Sequence, residues 1–93
     1  MAIKSFRCKD TEAMYLGRRV ARFANIGTVA MRKLAILNRV VTVAELRIPP
    51  NNRLEALKGD RAGQFSIRIN DQWRICFRFA GGDAADVEIV DYH

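Results

Sequence analysis

The chain has 93 residues, of which 49% are hydrophobic and 28% are charged, a composition typical of a folded protein rather than a disordered one. Its length suits one domain spanning residues 1–93, and no segment has the roughly 18 apolar residues of a membrane span. No signal peptide or linker is recognisable, so we expect a cytoplasmic protein that does not bind membranes.

The charge balance indicates an acidic ligand. Sixteen Lys and Arg against ten Asp and Glu give a formal net charge of +6 and a pI of about 10.0. Twelve of the sixteen cations are Arg, whose planar guanidinium binds phosphate oxygens in pairs, whereas Lys acts as a point charge. A nucleic acid or an acidic protein is therefore an expected partner, although the same excess charge would also serve solubility alone.

The two cysteines predict no disulfide and no metal site. Cys8 and Cys76 lie far apart and form no C-x-x-C pair, so we expect reduced thiols. A zinc site would need both cysteines together with His93, without the ligand spacing that such sites show. The sequence therefore predicts no metal and no other cofactor.

Two helices are predicted in the first half of the chain, after a short strand over residues 3–8. A cap at Asp10 or Thr11 would start the first helix, and Gly17 would end it. The second helix would follow Asn25 as its N-cap, because apolar residues then recur at helical spacing. That apolar stripe consists of Ile26, Ala30, Leu34, Leu37 and Val41, widened by Val29 and Val40.

After Pro50 the apolar period changes from helical to alternating, which is typical of β-strands. The predicted strands span residues 53–57, 65–69, 73–79 and 87–92. The second and third of them would form a hairpin with one buried face. That face consists of Phe65, Ile67, Ile69, Trp73, Ile75, Phe77 and Phe79.

This order of elements indicates an α+β fold in which helices cover one face of a mainly antiparallel sheet. The opposite face would carry Arg68, Arg74 and Arg78, open to a ligand. Cys76 shares the parity of these arginines, but no histidine or carboxylate adjoins it in sequence, so we do not expect a nucleophile there.

Three sequence segments are distinctive in combination: L-K-G-D-R at 57–61, W-R-I-x-F at 73–77 and D-Y-H at 91–93. With I-K-S-F at 3–6, their order and spacing resemble the HigB toxins, the host-inhibition branch of the RelE-like superfamily. The resemblance covers nearly the whole chain. It implies the RelE-like microbial RNase fold, with two to three N-terminal helices packed on a twisted, mainly antiparallel sheet of about four to five strands.

The resemblance also implies a function. HigB-like toxins are ribosome-dependent, metal-independent endonucleases that cut mRNA in the A site of the 30S subunit and thereby inhibit translation. A HigA-type antitoxin, which is a helix-turn-helix protein, holds them inactive, and the pair binds its own operator DNA through the antitoxin. The expected reaction is attack of the RNA 2′-OH on the adjacent phosphate, which needs a base, an acid and cations.

The matched D-Y-H ending implies a catalytic cluster. His93 is the only histidine, the residue type whose unperturbed side chain changes charge near neutral pH, so it suits a general acid that protonates the departing 5′-oxygen. Asp91 would orient His93 or serve as base, and Tyr92 would stack on a nucleobase or donate its hydroxyl. By residue type alone, Asp91 would be a solvent-exposed carboxylate at a strand end, Tyr92 a core or edge aromatic, and His93 a frayed surface residue.

Five cations complete the expected site. Arg74, at the W-R position, and Lys58, in the L-K-G-D-R run, would act with the catalytic cluster on phosphate charge. Arg61 shares the turn of Lys58, and Arg68 and Arg78 share the parity of Arg74, so all three would widen the RNA-binding surface. Ordinary solvated charge is the alternative interpretation for each of them.

Glu55 departs from the pattern of some HigB-like proteins, which carry a histidine just before the L-K-G-D-R run. A carboxylate can act as a general base, but it cannot supply positive charge to a phosphate. Glu55 therefore either replaces that histidine chemically, at the edge of the RNA-binding surface, or leaves the position unused.

Two non-enzymatic hypotheses stay open at this point. The same basic face would suit a non-catalytic RNA-binding or ribosome-binding module, with steep salt dependence and no strand cleavage. A co-repressor that only assists a DNA-binding partner would also fit the charge, and it would not inhibit growth when expressed alone.

Overall fold

The computed structural model describes residues 2–91; Met1, Tyr92 and His93 lie outside the described residues. Within that range the α-helices are α1 (Lys9–Tyr15) and α2 (Gly27–Arg39), and the strands are β1 (Glu55–Ala56), β2 (Phe65–Arg68), β3 (Trp73–Ala80) and β4 (Asp83–Asp91). Both helices precede the strands, which form one antiparallel sheet in the order β1-β2-β3-β4. The predicted α+β class is confirmed.

Two tight turns fix the register of the three longer strands. Gly81 and Gly82 join β3 to β4 with φ angles of 59° and 81°, which glycine adopts without steric cost. Between β2 and β3, the Asn70 side-chain oxygen accepts the backbone N–H groups of Gln72 and Trp73, each at 2.8 Å. Register matters because a slip of one residue would exchange the two faces of the sheet.

The core lies between α2 and the apolar face of the sheet. Ala30, Leu34 and Leu37 of the predicted stripe are fully buried, and Trp73 and Phe23 form a T-shaped pair with ring centroids 5.5 Å apart. Burial of each large aliphatic or aromatic side chain contributes about 1.5–3 kcal/mol. The buried partners from the sheet are Ile67, Ile75, Phe77, Val87 and Ile89.

The first helix begins earlier than predicted. Its N-cap is Cys8, whose carbonyl accepts the Glu12 N–H at 3.1 Å. Thr11 is not the cap because it is buried, and its hydroxyl accepts the backbone N–H of Ile89 at 3.0 Å. The helix ends before Gly17, as predicted, and a φ of 90° at that glycine reverses the chain.

The second helix also has different ends. Its N-cap is Ile26 rather than Asn25, and it ends two residues before Val41, which is 69% exposed instead of buried. Glu45 accounts for this end, because its carboxylate accepts the backbone N–H groups of Val41 and Thr42 at 2.8 Å. These hydrogen bonds begin the capping box of a following 3₁₀ turn.

The segment at residues 3–8 is not a continuous strand. It touches the edge of β4 through two isolated parallel bridges, between Ile3 and Ala84 and between Phe6 and Val87. Asp86 lies between these contacts with a φ of 53°, a left-handed conformation that bends the edge of the strand. A regular ladder therefore does not extend between the two bridges.

Two strands begin at positions different from those predicted, and the C-terminal ends of β1, β2 and β3 differ from the prediction by a single residue. The first strand is limited to Glu55–Ala56, because Arg53 has a φ of 46° and turns the chain before the strand begins. The last strand starts at Asp83 rather than at residue 87, since the two-glycine turn lets Asp83 pair at once with Ala80.

Candidate nucleic-acid interface

Two parallel rows of side chains cross the polar face of the sheet. Strand register aligns Glu55, Ser66, Cys76 and Glu88, here called the inner row. The neighbouring outer row contains Arg68, Arg74 and Val90. Because alternate residues of a strand share a face, both rows lie opposite the helices.

Arg74 is the most firmly held side chain of the outer row. Its Nε donates to the Ser66 hydroxyl at 2.8 Å, and one terminal nitrogen donates to the Arg53 carbonyl at 2.6 Å. That carbonyl is available because Arg53 has left-handed backbone angles. The Arg74 side chain is only 11% exposed, with a Glu55 oxygen 3.7 Å away. Its guanidinium is therefore oriented before any ligand arrives.

A depression of about 300 Å³ lies over the outer row. Its lining residues are Arg53, Glu55, Arg68, Asn70, Asp71 and Arg74. Three of them are arginines and two are carboxylates, and Arg68 forms an ion pair with Asp71. This arrangement would bind an oxyanion, since guanidinium groups hydrogen-bond to phosphate oxygens in a fixed geometry.

Lys33 of α2 lies behind the outer row, although the sequence placed it outside the apolar stripe. It is 5% exposed, and its ammonium group donates to the backbone carbonyl of Arg68. Burial lowers the pKa of Lys33, and the nearby charges of Arg32, Arg68 and Arg74 lower it further. Its spacing from Ala30 and Leu37 on α2, three and four residues, is the signal that would have indicated burial.

The inner row is closed to solvent at Ser66 and Cys76, whereas the sequence predicted an open polar face; only its Glu55 end is exposed. One terminal nitrogen of Arg61 donates to Glu88 at 2.7 Å and to Gln64 at 3.1 Å. Ser66 and Cys76 are fully buried, and burial raises the pKa of the Cys76 thiol. Arg61 therefore contributes to the structure of this row, in addition to any role in RNA binding.

Arg78 does not line the depression. A bulge between Cys76 and Arg78 interrupts the pairing of β3 with β4, and the Arg78 guanidinium lies 3.5 Å from Asp86. It also lies against Gly63, where an added Cβ would come within 2.8 Å of it. Arg78 is thus separated from Arg68 and Arg74, although its alternation with the buried residues predicted that all three would share one surface.

Lys58 projects from the turn that follows β1. It is exposed and precedes a 3₁₀ turn over Gly59–Arg61, in which Gly59 has a φ of 64°. Lys58 forms no ion pair with any residue between 2 and 91. Lys58 does not line the depression.

Asp91 ends β4 at the same end of the sheet as the depression. It pairs with Trp73, next to Arg74, and its carboxylate accepts the Gln72 side-chain amide at 3.0 Å. Asp91 lies opposite Trp73 in the register, whereas Arg74 lies opposite Val90. Asp91 and Arg74, both predicted site residues, therefore belong to opposite faces of the sheet. The predictions for Tyr92 and His93 lie outside the described residues.

The described part of the chain contains no group of three or more His, Cys, Asp or Glu side chains placed to hold a metal ion. Among residues 2–91, no helix combines the length and apolar character needed to cross a membrane.

Solved structures define the class of fold. The YoeB-YefM complex from Staphylococcus aureus contains a chain that covers 100% of this one, with a TM-score of 0.57 and 15% identity. A YoeB/ParE toxin from Agrobacterium tumefaciens also covers 100%, with a TM-score of 0.52 and 20% identity. The matches span 99% of either chain, so this chain has the fold of these two structures.

Sequence comparison gives the family. Residues 5–93 match the model of the HigB-like toxins, described as the RelE-like toxin of type II toxin-antitoxin system HigB. The chain belongs to this family, which confirms the family predicted from the sequence.

Two relatives carry names within the family. Toxin HigB-1 of Vibrio cholerae is 43% identical over 61 residues, or 66% of this chain and 64% of that protein. Endoribonuclease HigB of Proteus vulgaris is 49% identical over 41 residues, or 44% of this chain and 45% of that protein. The matched segments thus span less than two thirds of each relative.

Proposed function

We propose that this chain, acting as one domain over residues 1–93, is the toxin of a type II toxin–antitoxin system and cleaves RNA. The observation that carries the proposal is the depression over the outer row, where Arg74 is held with little freedom and two further arginines converge. An oriented guanidinium stabilises phosphate charge without reorganising during the reaction. Family membership supplies the reaction class, since one relative is named an endoribonuclease.

The proposed reaction needs no metal ion. The 2′-OH of the RNA attacks the adjacent phosphate, Arg74 and Lys58 neutralise the charge that develops there, and His93 protonates the departing 5′-oxygen. Asp91 orients His93 or accepts the 2′-OH proton, and Tyr92 stacks on a nucleobase. Asp91 pairs with Trp73, the residue before Arg74, so the end of β4 lies at the same end of the sheet as the depression.

The remaining cations extend the path of the RNA. Arg68 lines the depression itself, whereas Arg61 and Arg78 lie farther along the polar face, each paired with a carboxylate of β4. Glu55 lines the same depression. We therefore place the reacting phosphate near Arg74 and Arg68, and the flanking nucleotides toward Arg61 and Arg78.

We further propose that the ribosome is required and that mRNA is cut in the A site of the 30S subunit. A domain of this size has few groups with which to hold a flexible RNA, so the ribosome would supply part of the positioning. The partner would be a HigA-type helix-turn-helix antitoxin, through which the pair reaches operator DNA, and the location would be cytoplasmic.

Mapping mRNA 5′ ends after brief expression tests this proposal. Wild-type protein should create new ends inside translated codons and none in a matched transcript that lacks a ribosome-binding site. His93→Ala should reduce these ends by about 100-fold or more, as expected for loss of a general acid. Arg74→Lys, which keeps the charge but loses the planar fork, should reduce them less.

The result also separates the competing functions. Codon-internal ends that persist in His93→Ala would remove that residue from the chemistry. Binding of ribosomes without any new ends would favour the non-catalytic RNA-binding module. Absence of growth inhibition by soluble wild-type protein would favour a co-repressor.

A further inference from the structure

The two sheet arginines that line the depression are both paired with carboxylates of the same depression. Glu55 lies 3.7 Å from Arg74, and Asp71 forms an ion pair with Arg68. These carboxylates lie where an approaching phosphate would meet the guanidinium groups. The depression therefore holds its own anions before any ligand binds.

Both carboxylates can easily be displaced from their arginines, because both are exposed to water. The Glu55 side chain is 53% exposed, and that of Asp71 is 99% exposed. Ion pairs this accessible to water typically contribute less than about 1 kcal/mol, because water and salt screen the charges. Released carboxylates can be solvated at once, so displacement costs little.

The Arg74 guanidinium, by contrast, stays in place when the Glu55 carboxylate moves away. Ser66 and the Arg53 carbonyl hold its guanidinium. A phosphate that replaces the Glu55 carboxylate thus meets a donor group that is already oriented, and it forms charge-assisted hydrogen bonds of the strong kind. The exchange favours phosphate, but the displaced carboxylate reduces the gain.

We propose that Glu55 and Asp71 compete with the RNA phosphate for Arg74 and Arg68. The phosphate binds in the depression by displacing both carboxylates from these arginines. This proposal rests on the proposed function, and it gives the position of Glu55 a role other than catalysis. The two carboxylates lower the affinity for RNA and make it less dependent on salt, since each displaced carboxylate takes up cations from solution.

The test measures binding of a short 2′-O-methyl RNA, which lacks the attacking hydroxyl and so cannot be cut. Fluorescence anisotropy at several salt concentrations would compare wild type, Glu55→Gln, Asp71→Asn and Arg74→Ala. Glu12→Gln is the matched control because it removes the same charge from an exposed position in α1, on the opposite side of the sheet.

Glu55→Gln and Asp71→Asn should each bind about three- to tenfold more tightly than wild type, as expected for removal of one nearby like charge. The slope of log affinity against log salt should steepen by roughly 0.7 for each variant, the value for one additional phosphate contact on single strands. Binding no tighter than that of Glu12→Gln would overturn the proposal, since net charge alone would then explain any change.

The Arg74→Ala arm distinguishes failure of this proposal from failure of the proposed function. Weaker binding by Arg74→Ala without tighter binding by Glu55→Gln would leave the RNA-binding depression in place and reject only the competition. Equal binding by Arg74→Ala and wild type would reject the depression itself, and both proposals with it. Loss of cleavage in Glu55→Gln would place that carboxylate in the reaction and overturn its role as a competitor.

Discussion

The two rows of the polar face use the same chemistry, arginine against carboxylate, in different environments. In the inner row, Arg61 meets Glu88 at 2.7 Å, and the Glu88 side chain is only 16% exposed. In the outer row, the partners of Arg68 and Arg74 are half or fully exposed. An ion pair shielded from water therefore becomes part of the structure, whereas an ion pair open to water is available for exchange with a ligand.

Deleting Arg61, which pairs with Glu88 of the inner row, or Arg68 of the outer row tests this comparison with the largest expected effect. Arg61→Ala leaves the mostly buried Glu88 carboxylate without its main cation, so we expect a loss of about 2–3 kcal/mol in the free energy of unfolding. Arg68→Ala removes an exposed pair and should change that free energy by less than about 0.5–1 kcal/mol. Urea unfolding, followed by circular dichroism, would measure both.

The order of the two variants should be reversed for activity, with Arg68→Ala the more impaired of the two. RNA cleavage should fall more in Arg68→Ala than in Arg61→Ala, once each is measured at a temperature where the protein is folded. Equal stability of the two variants would mean that solvent access does not separate the rows. The assignment of Arg61 to the structure would then be wrong.

The sequence predicted the fold well because its apolar periods are clear. The stripe through Ala30, Leu34 and Leu37 and the alternation through Ile75 and Phe77 place the same residues in the core that the structure buries. These periods report which side of an element faces apolar surroundings, and that is decided by local sequence spacing.

The distinction between the two rows could not be predicted in this way. Parity places Arg68, Arg74 and Arg78 on one face, but a bulge separates Arg78 from the others. Arg61 is distant in sequence from Cys76 and Glu88 and comes near them only in the folded chain. Such contacts between side chains far apart in the chain leave no periodic signal.

The turn that leads from Arg61 into β2 contains Gly63, a position that disfavours any other residue. Gly63 has a φ of 90°, and a Cβ added there would lie 2.8 Å from the Arg78 guanidinium. Gly63→Ala should therefore cost about 1–2 kcal/mol of unfolding free energy, mostly from the left-handed backbone. Gly59→Ala is the matched control, because its φ is also positive but an added Cβ would meet no atom within 4 Å.

The difference between the two glycine variants isolates the contact with Arg78. If Gly63→Ala is more destabilising than Gly59→Ala, and Arg78→Ala reduces the difference, then the guanidinium restricts this turn. If the two glycine variants unfold at the same urea concentration, the flexible end of Arg78 has moved aside, and the turn is independent of β3.

The smallest expected effect is on thiol reactivity, and it reports directly on whether the inner row is closed. Burial raises the pKa of Cys76, so its reactive thiolate forms only at higher pH in the folded protein than in the unfolded chain. Burial also acts to raise the pKa of Cys8, but hydrogen bonds from Thr11 and Asp10 and the charge of Arg22 lower it on balance. Iodoacetamide should therefore modify Cys8 first, with a rate that rises at lower pH than for an ordinary thiol.

Arg61→Ala should change this order by opening the inner row. Modification of Cys76, read by mass spectrometry of proteolytic fragments, should become severalfold faster in Arg61→Ala and stay slow in Arg68→Ala, while Cys8 reacts equally in both. Faster modification in Arg68→Ala as well would show that the rows open together. The outer row would then be part of one cooperative surface, and an RNA phosphate bound there would also tighten the contacts around Cys76.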